Sequence, residues 1–141
     1  MIQRVQSLWL LLAAAATLLT VRFSFYSGNI VVANQPKKFE YLTALSNTPL
    51  MLLTFLLGIG CLIIIFLYKN RKLQMKLIIP AILISVLNIF LFFNQSKKFV
   101  AGEGNYDLGS ILVLVIPIFL LLAARGVYKD DKLIKSLDRL R

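Results

Sequence analysis

The fold of this chain is decided by residues 48–68, TPLMLLTFLLGIGCLIIIFLY. The stretch contains no charged residue, and twenty residues of α-helix span about 30 Å, which is the thickness of a bilayer's hydrocarbon core. Thr48 can cap the helix, and Pro49 suits the first helical position because its missing N–H costs nothing there. The stretch therefore predicts a transmembrane helix over 49–68.

Three further apolar stretches, at about 5–21, 77–93 and 108–124, predict three more transmembrane helices. Hydrophobic residues make up 59% of the 141-residue chain, and the mean hydropathy is +0.81. The four stretches are apolar all round, unlike the amphipathic helices of a soluble core. The first could pass for a secretory signal, but its apolar run continues to Val21, which favours a retained helix. We therefore predict an all-α, four-helix membrane bundle that forms a single domain over 1–141.

Positive charge predicts the orientation of the bundle. Eleven of the 16 Lys and Arg residues lie in the N-terminal segment, the turn at 69–76 and the tail at 125–141, and five lie in the loops at 22–47 and 94–107. Because basic residues are retained in the cytoplasm, both termini and the turn are predicted inside and the two loops outside. The net charge of +10 then fits a chain that faces anionic lipid. The lipid bilayer is the expected partner, and no nucleic acid is expected.

The two ends of the chain carry a family resemblance. The opening, residues 1–13, reads MIQRVQSLWLLLA, and residues 124–141 read ARGVYKDDKLIKSLDRLR. Together they resemble a family of small four-span inner-membrane proteins of Bacteroidota, catalogued as domain of unknown function 4293. The resemblance implies an uncleaved first helix and a bacterial inner (cytoplasmic) membrane. It implies no activity, since the family has no assigned function.

The tail is the candidate docking segment. Apolar residues recur there at helical spacing and charged residues fill the other face, which predicts an amphipathic C-terminal cytoplasmic helix. One interpretation is a helix that lies on lipid headgroups; the other is a helix that docks on a cytoplasmic or membrane protein. The residues proposed for either contact are Leu133, Ile134, Leu137, Arg139 and Leu140.

Three residues inside the predicted spans are interpreted as helix-packing residues. Asn88 carries an amide that must find a partner in lipid, usually on another helix. Gly58 permits a close approach between helices. Pro117 should free the carbonyl of Val113 and kink the fourth helix.

Absences in the sequence bear on function. The chain has no histidine and a single cysteine, Cys61, and no Asp, Glu, Lys or Arg lies within a predicted span interior, where ion and proton pathways usually place an ionisable residue. Glu103 and Asp107 could hold a cation weakly. We predict a non-catalytic accessory or scaffold subunit with no cofactor and no metal.

The alternative is a small oligomeric carrier or channel. That function predicts a polar seam in which Asn88, Ser85 and Thr54 face one cavity. A membrane-embedded enzyme would need a cluster of titratable groups at one interface, which the sequence does not show.

Overall fold

A computed structural model describes residues 5–30, 37–100 and 102–138, with Lys69 and residues 134–138 described by their backbone alone. The described residues form four α-helices and one small antiparallel sheet. The helices are α1 (Val5–Arg22), α2 (Thr48–Phe66), α3 (Arg71–Ser96) and α4 (Leu108–Asp138), and the strands are β1 (Tyr26–Ile30), β2 (Lys38–Leu42) and β3 (Gly104–Tyr106). Short 3-10 turns at Ala44–Ser46 and Leu67–Lys69 precede α2 and follow it.

All four helices are long and apolar enough to cross a membrane, α4 through its segment Leu108–Leu133. Large apolar side chains stand on their outer surfaces: Leu52 is 62% exposed, Leu83 66% and Ile118 52%. A soluble monomer rarely exposes apolar surface on this scale, because water opposes it. The chain is therefore mostly helical, as predicted, and its four apolar helices indicate a membrane protein.

The helices pack in a ring, in which α1 and α3 each contact both α2 and α4. Small side chains on α1, including Ala13, Ala14 and Ala16, are buried and allow both neighbours to approach it closely. Larger side chains fill the centre, where Leu10, Leu57, Cys61, Ile78, Ile116, Leu120 and Val127 are at most 2% exposed.

Two helices extend well beyond the apolar stretches in the sequence. Asn70 caps α3, its Oδ1 accepting a hydrogen bond from the Leu73 N–H at 3.3 Å, so that α3 begins at Arg71 and most of the expected turn at 69–76 is helical. The other helix, α4, runs through Pro117 to Asp138. The expected tail helix is thus the continuation of α4 as far as the structure describes it.

The sheet was not predicted, since 22–47 and 94–107 were both expected to be loops. Its order is β2-β1-β3, and Tyr26 of β1 lies opposite Leu42 on one side and Tyr106 on the other. The sheet covers one end of the bundle, here called the sheet end. The opposite end, formed by the starts of α1 and α3, the end of α2 and the part of α4 from Arg125, is called the basic end.

Phe25 anchors the sheet to the helices. Its ring is 1% exposed, stacks on Phe92 of α3 with 4.8 Å between ring centroids, and meets Phe93 edge-on at 5.4 Å. By contrast, Phe39 and Tyr41 of β2 are 54% and 63% exposed. The aromatic residues of this region therefore divide into a buried set on the bundle and an exposed pair on the sheet.

The two acidic residues considered for a cation already have partners at the sheet end. Asp107 accepts a hydrogen bond from the Ser24 hydroxyl at 2.5 Å. Glu103 forms an ion pair with Lys37 and accepts a hydrogen bond from the Asn29 amide at 3.1 Å. The Lys37 ammonium also donates a hydrogen bond to Glu103. The hydrogen bonds from Lys37 and Asn29 lower the pKa of the exposed Glu103 carboxyl. The contacts of Glu103 thus link β1 to the residues directly before β2 and β3. The contact of Asp107 links the residues before β1 and after β3.

Candidate functional site

Gln74 closes the turn between α2 and α3 at the basic end. The last carbonyls of a helix have no partner within it. At the end of α2, the Leu67 N–H donates hydrogen bonds to the carbonyls of Ile63 and Ile64. The Gln74 amide adds a second donor to the Ile64 carbonyl, at 3.2 Å. The side chain is fully buried, and its Oε1 has no hydrogen-bond partner in the described part of the chain.

Gln6 lies where α1 and α4 approach each other at the same end. A Cβ atom added to Gly126 would lie 3.0 Å from the Gln6 Cβ, closer than most such contacts. The Gln6 side chain is 1% exposed, and within the described residues neither its amide nitrogen nor its oxygen has a hydrogen-bond partner. Glycine at 126 thus allows the helix contact that buries this amide.

Arg71 links α3 to the far part of α4. Its Nη1 donates a hydrogen bond to the Asp130 backbone carbonyl at 3.1 Å. The first residue of α3 therefore lies within the reach of one arginine side chain from Asp130. With a rise of 1.5 Å per residue, α4 continues from Asp130 to Asp138 for about 12 Å.

Two recesses lie between α3 and α4 at the basic end, and together they are called the α3–α4 groove. They have volumes of about 490 Å³ and 280 Å³, and Met75 and Tyr128 line both. The larger recess is otherwise lined by Leu121, Ala124, Arg125 and Lys129. The smaller is otherwise lined by Arg71, Lys72, Lys76, Ile79, Val127 and Asp131. The groove thus combines an apolar lining with several basic residues.

The predicted docking residues lie at the far end of α4. Leu133 belongs to the helix and is 61% exposed. Ile134 and Leu137 continue the same helix and are described by their backbone alone. Arg139 and Leu140 lie outside the described residues.

Asn88 lies between α3 and α2, inside the bundle. Its amide donates a hydrogen bond to the Thr54 hydroxyl at 3.1 Å, and each residue is at most 2% exposed. Ser85, one turn away, donates to the Ile82 carbonyl of its own helix at 2.7 Å. The three polar residues of the expected seam are therefore buried, and neither recess of the α3–α4 groove includes them.

Gly58 lies at a contact between two helices, and Pro117 lies within α4. A Cβ atom added to Gly58 would lie 3.5 Å from the nearest atom of Leu18, which is ordinary van der Waals contact between α2 and α1. Pro117 lies inside α4 and is partly buried.

Sequence reasoning missed the two buried glutamines, although one signal pointed to Gln74. The buried residues of α3 are Gln74, Ile78, Ala81, Ser85, Asn88 and Phe92, and they alternate spacings of four and three. That is the stripe of one helix face. Extending it backwards from Asn88 leads to Gln74, which the sequence analysis assigned to a turn. The buried residues of α1 include Gln6, Leu10, Ala13, Thr17 and Thr20 at the same alternating spacing, so a helical stripe leads to Gln6 as well.

Among the described residues, no group of three His, Cys, Asp or Glu side chains could hold a metal ion, and no charged side chain is buried. Two features suited to recognition are the exposed end of α4 and the α3–α4 groove.

Comparison with known proteins yields one match. No curated protein and no solved structure matches the chain. The family model described as a domain of unknown function, DUF4293, matches residues 2–140. The match covers nearly the whole sequence and confirms the resemblance carried by the two ends. The chain is a member of the DUF4293 family.

Proposed function

We propose that this protein is a non-catalytic accessory or scaffold subunit of a larger assembly in a bacterial inner membrane. Its four helices cross the bilayer, both termini lie in the cytoplasm, and α4 presents its far end to a partner. The observation that carries this proposal is the continuation of α4, as one helix, for about 12 Å beyond Asp130, the residue that Arg71 of α3 contacts.

The charge distribution supports the orientation. The sheet end carries five basic residues, Arg22, Lys37, Lys38, Lys97 and Lys98. Two of these already have carboxylate partners, since Lys37 pairs with Glu103 and Lys38 with Glu40. The remaining eleven Lys and Arg residues belong to the segments assigned to the cytoplasm. The bacterial inner membrane follows from the resemblance of the chain's two ends to Bacteroidota proteins.

The contacts inside the bundle favour a scaffold over a carrier. A carrier would need Asn88 and Thr54 to face a substrate, but they bond to each other. Ser85 bonds to its own backbone, as hydroxyls inside membrane helices often do. One buried acceptor, the Asn88 Oδ1, has no partner among the described residues, and it is the atom on which the carrier alternative depends.

Purification in mild detergent tests the scaffold proposal. We expect the native protein, tagged at its N-terminus, to bring down a reproducible, stoichiometric membrane or cytoplasmic partner identified by mass spectrometry. Removal of residues 132–141 should abolish that partner while the protein itself still inserts, because the truncation leaves the apolar part of α4 intact.

A matched control changes the other end of the molecule. The double substitution Phe39→Ser/Tyr41→Ser removes the exposed aromatic pair of β2 and should leave the partner bound. Purification of the native protein as a partner-free monomer would refute the scaffold proposal. Counterflow of a solute in proteoliposomes, lost in Asn88→Leu, would establish the carrier instead.

A further inference from the structure

We propose that the α3–α4 groove binds one anionic phospholipid, with its phosphate between the basic residues and an acyl chain against the apolar lining. The inference rests on the membrane-embedded placement proposed above, but not on the docking role of the end of α4. The α3–α4 groove is a surface that the packing of the four helices does not fill.

The lining of the larger recess matches the two parts of such a lipid. On α4, Leu121 lies one turn before Arg125 and two turns before Lys129, Ala124 lies one turn before Tyr128, and Met75 completes the apolar surface from α3. Four residues of helix span about 6 Å. An acyl chain against Leu121 would therefore place the phosphate of the same molecule beside Arg125, with Lys129 one turn further along the helix.

The charges of the groove have little compensation within the protein. Lys72, Lys76, Arg125 and Lys129 form no ion pair in the described part of the chain, and each is exposed. One carboxylate, Asp131, lines the smaller recess, and none lines the larger. Each basic residue near an anionic membrane surface contributes roughly 1 kcal/mol of attraction. The larger recess thus has the charge that a phosphate group requires.

Tyr128 gives the groove a group suited to the headgroup level. Its side chain is 62% exposed and lines both recesses. Tyrosine favours the membrane–water interface because its ring is apolar and its hydroxyl is polar. The neighbouring Arg71 is held by the Asp130 carbonyl, which fixes α3 against α4 on this side.

Native mass spectrometry of the full-length protein in a neutral detergent tests this proposal. Titration with phosphatidylglycerol should give one bound lipid at concentrations where phosphatidylcholine does not bind. The double substitution Arg125→Gln/Lys129→Gln should weaken phosphatidylglycerol binding at least about tenfold. The matched control, Lys97→Gln/Lys98→Gln, removes the same charge from the sheet end and should leave binding unchanged.

Three outcomes would overturn the proposal. They are equal binding of the two lipids, equal loss in the control variant, and displacement of the lipid by millimolar inorganic phosphate, which would mean that the acyl chain contributes nothing. The variant that lacks residues 132–141 distinguishes the lipid-binding proposal from the scaffold proposal. It should keep its preference for phosphatidylglycerol even though it loses the protein partner.

Discussion

Substitution of Gly109 by alanine is expected to destabilise the protein by about 3 kcal/mol or more, because the new methyl group would collide with backbone. A Cβ atom at this position would lie 2.4 Å from the Ser24 carbonyl oxygen and 2.8 Å from that of Phe23. The Gly109 N–H also donates a hydrogen bond to the Ser24 carbonyl at 2.9 Å. Neither chain segment can move away without breaking this contact between the start of α4 and the residues after α1.

Thermal unfolding of the purified protein in detergent measures the effect. The matched control is Gly60→Ala in α2, where an added Cβ atom would have no heavy atom within 4 Å. Alanine is the better helix former by up to about 1 kcal/mol, so the control should melt at the same temperature as the native protein or slightly higher. Equal melting temperatures for Gly109→Ala and the native protein would contradict the close approach.

Truncation of Phe25 to alanine is the second large effect, at about 3–5 kcal/mol for a buried aromatic ring. The ring is 1% exposed and lies between the sheet and α3, stacked on Phe92 and edge-on to Phe93. Its loss removes apolar burial and leaves a cavity at the junction of sheet and bundle. We expect the sheet end to loosen before the helices separate.

The control for this prediction is Phe39→Ala, which removes the same ring from a position that is 54% exposed. Its cost should stay within about 0.5 kcal/mol, as for most surface substitutions. Melting temperatures report the global effect, and protease cleavage within 22–47 reports the local one. Comparable cleavage rates in the two variants would show that Phe25 does not anchor the sheet.

The sequence predicted the four helices because each signal is local. A run of about 20 apolar residues identifies a transmembrane helix without any knowledge of its neighbours, and residues 48–68 need no tertiary information. The sheet carries no such signal. Its strands have three to five residues, and Tyr26 pairs with Tyr106, far along the chain. Strand pairing of this kind depends on where the helix ends bring the loops together.

Part of the candidate site could likewise be predicted from the sequence, and part could not. Basic residues at the ends of apolar runs were visible in the sequence, and so was the continuation of the fourth helix into a charged tail. The α3–α4 groove was not, because it depends on α3 beginning at Arg71 and on the contact of Arg71 with Asp130. The buried amides of Gln6 and Gln74 lie on helical stripes that residue spacing indicates, but the contacts of each amide depend on the neighbouring helices.

Labelling of single cysteines tests the central claim, a four-span protein with both ends in the cytoplasm. The native chain has one cysteine, Cys61, and it is fully buried in α2, so that Cys61→Ala gives a clean background. In intact spheroplasts, a membrane-impermeant maleimide should label Lys98→Cys at the sheet end. It should label Lys132→Cys at the basic end only after lysis. Labelling of Lys132→Cys in intact spheroplasts, or equal labelling of both positions, would contradict the claim.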